Sequence, residues 1–437
     1  MTKKMRISIF CVAGIAILAL IFTMIGVILR NQAMKYTESY TSSYIYVLII
    51  SFVFVTLILV AMGIIVLKFP EDLESTKLSK TRFPMLTMID EEYKGYIDEG
   101  SNKCTLEEFC DSFRGYAAVN LNLYYSIDDI RRFISSLAVS HILILQGMSG
   151  TGKTSLAYAF GRFLSNEALI VPVQPMWKER SDLIGYYNEF TRKFNETPFL
   201  EKMYEANYKN DIFITVLDEM NIARIEYYFA EFLSLLEIPN ENGRFLDVIS
   251  ASDKTDPKKL KNGQIKLPKN MWFIGTANND DSTFAVSDKV YDRAMVLNLD
   301  KKAESFDVEN NKKLRITANR FEALCNRAKK EYKLRFRNKH RITEFDLYLQ
   351  KEFKFSFGNR IMKQINAYIP VFIACGGDEM DAIDDILSKK VIRKLESANG
   401  VYLKRKKDEL LKTLDDIFGY NKMPICKAMI ESMVKEL

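Results

Sequence analysis

The sequence predicts an α/β protein: a parallel sheet with helices on both faces, a helical region after it and a transmembrane helical hairpin before it. Three observations carry this. Two long charge-free segments lie near the start. A glycine-rich loop sits between a short apolar run and a helical pattern. Apolar runs alternate with helical stretches from 141 to 300.

The chain has 437 residues, which exceeds one typical domain of about 100–200 residues. Charged residues make up 27% and hydrophobic ones 48%, a balance that excludes global disorder. A formal net charge of +6 does not by itself call for nucleic acid. Six cysteines without a CxxC pair exclude a disulfide scaffold. Two histidines, His141 and His340, argue against a His-rich metal site and leave no visible Ser-His-Asp or Cys-His set.

Ile7–Leu29 and Ile45–Leu67 are each 23 residues without a charge. A helix of that length spans about 34 Å, enough for a hydrocarbon core of about 30 Å. A signal peptide has a shorter apolar region and is not followed so closely by a second one. Two transmembrane helices, 7–29 and 45–67, are therefore expected. Lys3, Lys4 and Arg6 precede the first, and Lys68, Lys77, Lys80 and Arg82 follow the second. Only Arg30 and Lys35 lie between. The positive-inside rule puts both ends in the cytoplasm and residues 30–44 outside, where Tyr36, Tyr40, Tyr44 and Tyr46 suit an interfacial belt. The expected location is the cell membrane, with the body of the chain cytoplasmic.

Residues 68–125 read as a polar linker, with Pro70, Pro84 and Gly100 as breakers, entering a small helical region. His141–Gln146 is a short apolar run of the buried-strand kind. Gly147-Met-Ser-Gly-Thr-Gly-Lys-Thr154 follows directly and matches GxxxxGK[ST], and then a helical pattern begins. Strand, glycine loop and helix form the context in which backbone N–H groups and a helix dipole cradle phosphates. Gly147, Ser149, Gly150, Thr151, Gly152, Lys153, Thr154 and Ser155 are the candidate nucleotide-binding residues. Lys153 is expected on the phosphates and Thr154 on Mg²⁺. Asp211–Glu219 reads as a second buried strand ending in two carboxylates, the Walker B arrangement. Asp218 is expected to orient the Mg²⁺ shell and Glu219 to polarise the attacking water. A third strand, Met271–Thr276, ends in Ala277-Asn278, and Asn278 fits a sensor of the γ-phosphate or water.

Four stretches together resemble the McrB-type branch of the AAA+ ATPases, near its dynein-related and MoxR groups. They are Gly147–Thr154, Val173–Tyr187, Leu217–Arg224, and Gly275–Asp281 with Ser287–Ala294. The resemblance covers about 125–400 of this numbering. It implies an AAA+ P-loop NTPase over 126–300, with a helical lid and C-terminal helical region over 301–437. It also implies a homo-oligomeric ring. By resemblance, Arg293 holds the place of the arginine finger, which acts across a subunit boundary. Arg360, in Phe357-Gly-Asn-Arg360, resembles the second sensor in the lid, a nucleotide-binding role. ATP with Mg²⁺ is the implied substrate pair. Asn278 and Asp281 keep the Asn-x-x-Asp spacing of GTP-using members, which leaves GTP open. Where the restriction subunit of this branch carries a DNA-reading domain, this chain has its two apolar segments and a linker.

From Arg327 to Arg341 there are eight cations in fifteen residues, opposed only by Glu331. As an extended arm, Lys333–Arg341 would present one basic face to nucleic acid or anionic lipid; the commoner outcome for such a run is a solvated surface. Lys404–Lys407 lies in a helical pattern and reads as solvated. Cys375 and Cys426 read as small core residues.

Two function classes follow. The first is a membrane-anchored AAA+ nucleoside triphosphatase, a ring-forming motor that remodels a cytoplasmic or membrane partner. The second is an NTPase motor subunit of a restriction or defence system that controls a separate nuclease. Nucleic acid is not the favoured partner of the chain itself. A nucleotide-binding anchor without turnover fits less well, because Glu219 and Arg293 are both present.

Overall fold

The computed structural model describes residue 26 and residues 81–437, apart from 98–99, 279–282, 301–302, 309–311, 396–399 and 436–437. The two expected spans, 7–29 and 45–67, lie outside the described residues. Among the described residues no helix is long and apolar enough to cross a membrane. Thr81–Leu437 form one compact unit.

Three helices come first: α1 (Pro84–Glu92), α2 (Leu106–Leu121) and α3 (Ile127–Leu137). The α/β body follows with β1 (Ile142–Gln146), α4 (Lys153–Phe163), β2 (Leu169–Pro172), α5 (Ser181–Ile184), β3 (Gly185–Asn188), β4 (Lys193–Glu196), α6 (Pro198–Glu205) and β5 (Phe213–Asp218). It continues with α7 (Ile225–Tyr228), α8 (Ala230–Leu235), β6 (Phe245–Asp247), β7 (Leu260–Lys261), β8 (Gln264–Lys266), β9 (Met271–Ala277), α9 (Asp288–Tyr291) and β10 (Met295–Asn298). The C-terminal helices are α10 (Ala318–Glu331), α11 (Phe336–Phe353), α12 (Asn359–Ala374), α13 (Glu379–Lys390), α14 (Gly400–Phe418) and α15 (Pro424–Lys435). A 3₁₀ turn, Ile392–Leu395, follows α13.

The main sheet is parallel, with strand order β10-β1-β9-β5-β2. Its strands are apolar because both faces are covered. Alternate residues feed two cores: Leu143, Leu145, Ile214 and Val216 on one side, and Ile142, Ile144, Phe213 and Leu217 on the other. Parallel pairing brings the carboxyl ends of all five strands to one edge, where ligands bind in open α/β sheets.

Pro84, expected as a breaker, stands at the start of α1. Proline costs nothing there, since a first-turn N–H has no helical partner. Glu196 accepts hydrogen bonds from the Met85 and Leu86 N–H groups at 2.9 and 2.8 Å, a cap supplied by tertiary contact and so invisible locally. The cations of the basic stretch are mostly exposed, as the solvated-surface reading expects, and only its extended-arm alternative is corrected. The stretch is the end of α10, a short turn and the start of α11, not an extended arm, so its alternate cations do not share one face. Arg327 pairs with Glu331 and Arg335 with Glu379. Lys404–Lys407 does lie in a helix, and Cys375 and Cys426 are fully buried, as the sequence indicates.

A buried ionic group joins α3 to the C-terminal helices. Asp385 accepts from Lys389 at 2.6 Å and pairs with Arg132 at 3.2 Å, and the Tyr368 hydroxyl donates to it. Burial lowers the Lys389 ammonium from its ordinary value, and Asp385 opposes that shift. Asp385→Ala would strand a buried lysine without its carboxylate. Denaturant unfolding is expected to show a loss of about 3–5 kcal/mol; a loss below about 1 kcal/mol, the surface-pair range, would contradict this reading of the network.

Candidate active site

The site grows from the carboxyl ends of β1, β9 and β5, which are neighbours in the sheet. After β1 the chain turns through Gly147–Gly152 into α4. Two glycines are required here. At Gly147 (φ +143) a Cβ would lie 2.4 Å from the Leu299 carbonyl oxygen. Gly152 (φ +89) caps α4 in the left-handed region, and a Cβ there would press on the Tyr125 hydroxyl at 3.3 Å. The Tyr125 hydroxyl donates to the Gly152 carbonyl at 3.1 Å, and burial raises its pKa. Ser149, Gly150 and Thr151 form the loop crest, where the Thr151 hydroxyl donates to the Met148 carbonyl at 3.0 Å. Lys153, Thr154 and Ser155 are the first residues of α4. Lys153 is buried, with Nζ donating to the Gly147 and Met148 carbonyls at 2.9 and 2.8 Å, beneath the loop.

Asp218 ends β5. Its Oδ1 accepts from the Thr154 hydroxyl at 2.7 Å and from the Thr276 hydroxyl at 2.8 Å. Thr276 also accepts the Glu219 N–H at 2.8 Å. Glu219 has φ +53, a left-handed conformation uncommon for a non-glycine residue and enriched at functional sites. Its backbone turns sharply off the strand end. Asn278 follows β9 directly, and its carbonyl accepts from Asn221 at 3.0 Å and Thr283 at 3.1 Å. Asp281 lies outside the described residues.

The remaining two candidates lie elsewhere. The Ser140 hydroxyl, at the entry to β1, donates to the Arg293 carbonyl at 2.8 Å. The five residues of β1 separate that point from the phosphate loop, about 16 Å at about 3.3 Å per residue. Arg293 pairs with Glu237 at 2.8 Å and donates to the Lys289 carbonyl at 2.7 Å. Arg360, in the first turn of α12, pairs with the same Glu237. The two arginines thus share one carboxylate, and among the described residues neither pairs with the phosphate loop of its own chain.

A threonine hydroxyl held against a carboxylate is a hard-oxygen pair. Magnesium takes one or two such protein ligands beside phosphate oxygens and water, so Thr154 and Asp218 fit that ion. Among the described residues no group of three or more His, Cys, Asp or Glu could hold a metal alone. Sequence reading missed Thr276, Tyr125 and Gln146. Thr276 and Gln146 each carried a faint signal as a lone polar residue at the end of an apolar run; Tyr125 carried none.

Residues 142–294 match the model of the AAA domain of the dynein-related subfamily. They form an AAA+ P-loop domain. Residues 310–437, which hold the C-terminal helices beside the AAA+ domain, match a domain family of unknown function. The type IV methyl-directed restriction enzyme EcoKMcrB subunit of Escherichia coli K12 is 27% identical over 227 residues, 49% of this chain and 47% of that protein. This chain therefore spans about half the length of that curated relative. A solved candidate ATPase from Cytophaga hutchinsonii superposes with a TM-score of 0.40 at 12% identity, covering 80% of this chain and 97% of that one.

Thr276→Val keeps the shape but deletes the hydroxyl that serves both Asp218 and the Glu219 N–H. Nucleotide affinity is expected to stay within about twofold while hydrolysis falls by about tenfold or more, a barrier change of ~1.4 kcal/mol. Nucleotide titration and phosphate release measure the two separately. A variant that loses affinity and turnover equally would assign Thr276 to binding.

Proposed function

We propose that this protein is a membrane-anchored AAA+ nucleoside triphosphatase that hydrolyses ATP in a ring of subunits and remodels a cytoplasmic or membrane partner. The carrying observation is the division of the catalytic set: Lys153, Thr154, Asp218, Glu219 and Asn278 gather at one end of the sheet, and Arg293 stands at the other. In-line phosphoryl transfer needs the phosphates fixed, a water oriented and the developing charge met by cations. Lys153 and the loop N–H groups fix the phosphates. Glu219 accepts the proton of the attacking water. A magnesium ion held by Thr154 and Asp218 would neutralise charge between the phosphates. The third need falls to Arg293, which is far from its own loop and so is assigned to a neighbour's. Arg360, beside it, is assigned to the same neighbour and not to its own nucleotide.

The two 23-residue charge-free segments and their flanking cations support the anchor and a cytoplasmic AAA+ domain. If the anchor reading holds, alkaline carbonate leaves the full chain in the membrane fraction; release into the supernatant contradicts it.

A second reading has its own support, the similarity to the E. coli restriction subunit. Under it the chain is an NTPase motor, using GTP or ATP, that controls a separate nuclease. A nuclease recovered with the protein from native membrane would favour this reading.

Arg293→Ala is expected to bind nucleotide normally and hydrolyse it poorly, by a factor of about 10³–10⁵ if the arginine acts as a finger. Lys153→Ala is expected to lose nucleotide binding. Mixing the two restores activity at boundaries where an intact pocket meets an intact arginine. Co-assembled rings that recover nothing would leave Arg293 a structural ion pair.

A further inference from the structure

The segment that carries Arg293 is held by the C-terminal helices. Lys390, buried at the end of α13, donates from Nζ to the Tyr291 carbonyl at 2.8 Å and also to the Ala294 carbonyl. Lys394 pairs with Asp292 at 2.6 Å, and Gln364 of α12 donates to the Asp292 carbonyl at 3.4 Å. The Arg393 guanidinium lies 3.5 Å from the centroid of the Tyr291 ring. Residues on both sides of Arg293 are therefore fixed by elements that lie outside the AAA+ match.

The same elements reach the residue that immediately precedes the phosphate loop. Arg393 donates to Gln146 Oε1 at 2.9 Å, and Gln146 Nε2 donates to the Tyr291 hydroxyl at 2.6 Å. Gln146 is buried and immediately precedes Gly147, whose carbonyl accepts from Lys153. Both ends of one buried amide are thus bonded, one to the C-terminal helices and one to the arginine segment. A displacement of the loop at Gly147 must move Gln146, and Gln146 cannot move without breaking a part-buried hydrogen bond or carrying Tyr291 and Arg393 along. Two sites about a strand length apart are joined by a short, fully bonded chain of side chains.

We propose that the C-terminal helical domain couples each subunit's own phosphate loop to the arginine that it offers its neighbour, with Gln146, Tyr291 and Arg393 as positioning residues. The inference rests on the reading that Arg293 acts in trans. Its consequence is that turnover in the ring is cooperative in nucleotide, because filling one pocket sets the arginine that serves the next.

The test uses the full chain and ATP. Tyr291→Phe keeps the ring under Arg393 and removes the acceptor for Gln146. Affinity for ATP, measured by equilibrium titration, is expected to stay within about twofold, kcat to fall by about tenfold, and the Hill coefficient to drop to about 1 from a parent value above 1. A purely structural role would move the melting temperature without changing the Hill coefficient. Arg393→Gln is measured alongside and carries the test if Tyr291→Phe is unstable. Parental kcat and cooperativity in the stable variants would overturn the proposal, as would a parent Hill coefficient of about 1. Arg293→Ala separates the two levels. If it retains full activity, the trans reading itself fails. If it is inactive while Tyr291→Phe behaves as the parent, the coupling alone fails.

Discussion

One carboxylate oxygen organises the carboxyl edge of the sheet. Asp218 Oδ1 receives hydroxyls from Thr154, at the start of a helix, and from Thr276, in a neighbouring strand. A single acceptor therefore fixes the helix that follows the phosphate loop, the strand between β1 and β5, and, through Thr276, the backbone of Glu219. The parallel sheet makes this possible. Only with β9 between β1 and β5 do the three strand ends meet, and only with both faces covered can the strands be apolar enough to pack this way.

Much of this edge was legible in the sequence because its signals are local. A glycine loop between a strand and a helix needs particular residues at fixed spacing, and Gly147 and Gly152 show why, since neither tolerates a side chain. The strand of Phe213–Asp218 announced itself by continuous apolar character and an acidic end. What was not legible depends on contacts between distant segments. Pro84 begins a helix because Glu196, far along the chain, caps it. Lys333–Arg341 alternates like a strand but is helical from Phe336 onward, since Ile342, Phe345 and Leu349 form a buried helical stripe that outweighs the charge pattern. Thr276 offered only the faint signal of a polar residue ending an apolar run, because its role exists only through the register with Asp218.

The arginines show a different limit. Resemblance could say that Arg293 and Arg360 belong to nucleotide chemistry, but not where either stands. The fold places them together on Glu237, at the end of the sheet away from their own loop. The C-terminal helical region, in which Arg360 alone was marked by a local motif, supplies Lys390, Arg393 and Lys394 to the same region. A motif scan weights the glycine loop because its chemistry is written in consecutive residues. The parts that tie one end of the sheet to the other are single side chains spread over two domains.

Glu237 has a further consequence. One carboxylate cannot neutralise two guanidinium groups, and the surrounding cavity, of about 510 Å³, is lined by Arg244, Lys329 and Lys363 as well, against only Glu241 and Asp292. This face therefore carries surplus positive charge over a concave surface, and such surfaces focus their field outward. An approaching anionic surface is drawn in before any contact forms, over a range of about 8 Å at physiological ionic strength. Any encounter of an anionic partner with this face would be governed by salt concentration as much as by shape, so low-salt and high-salt buffers would not be equivalent conditions for it.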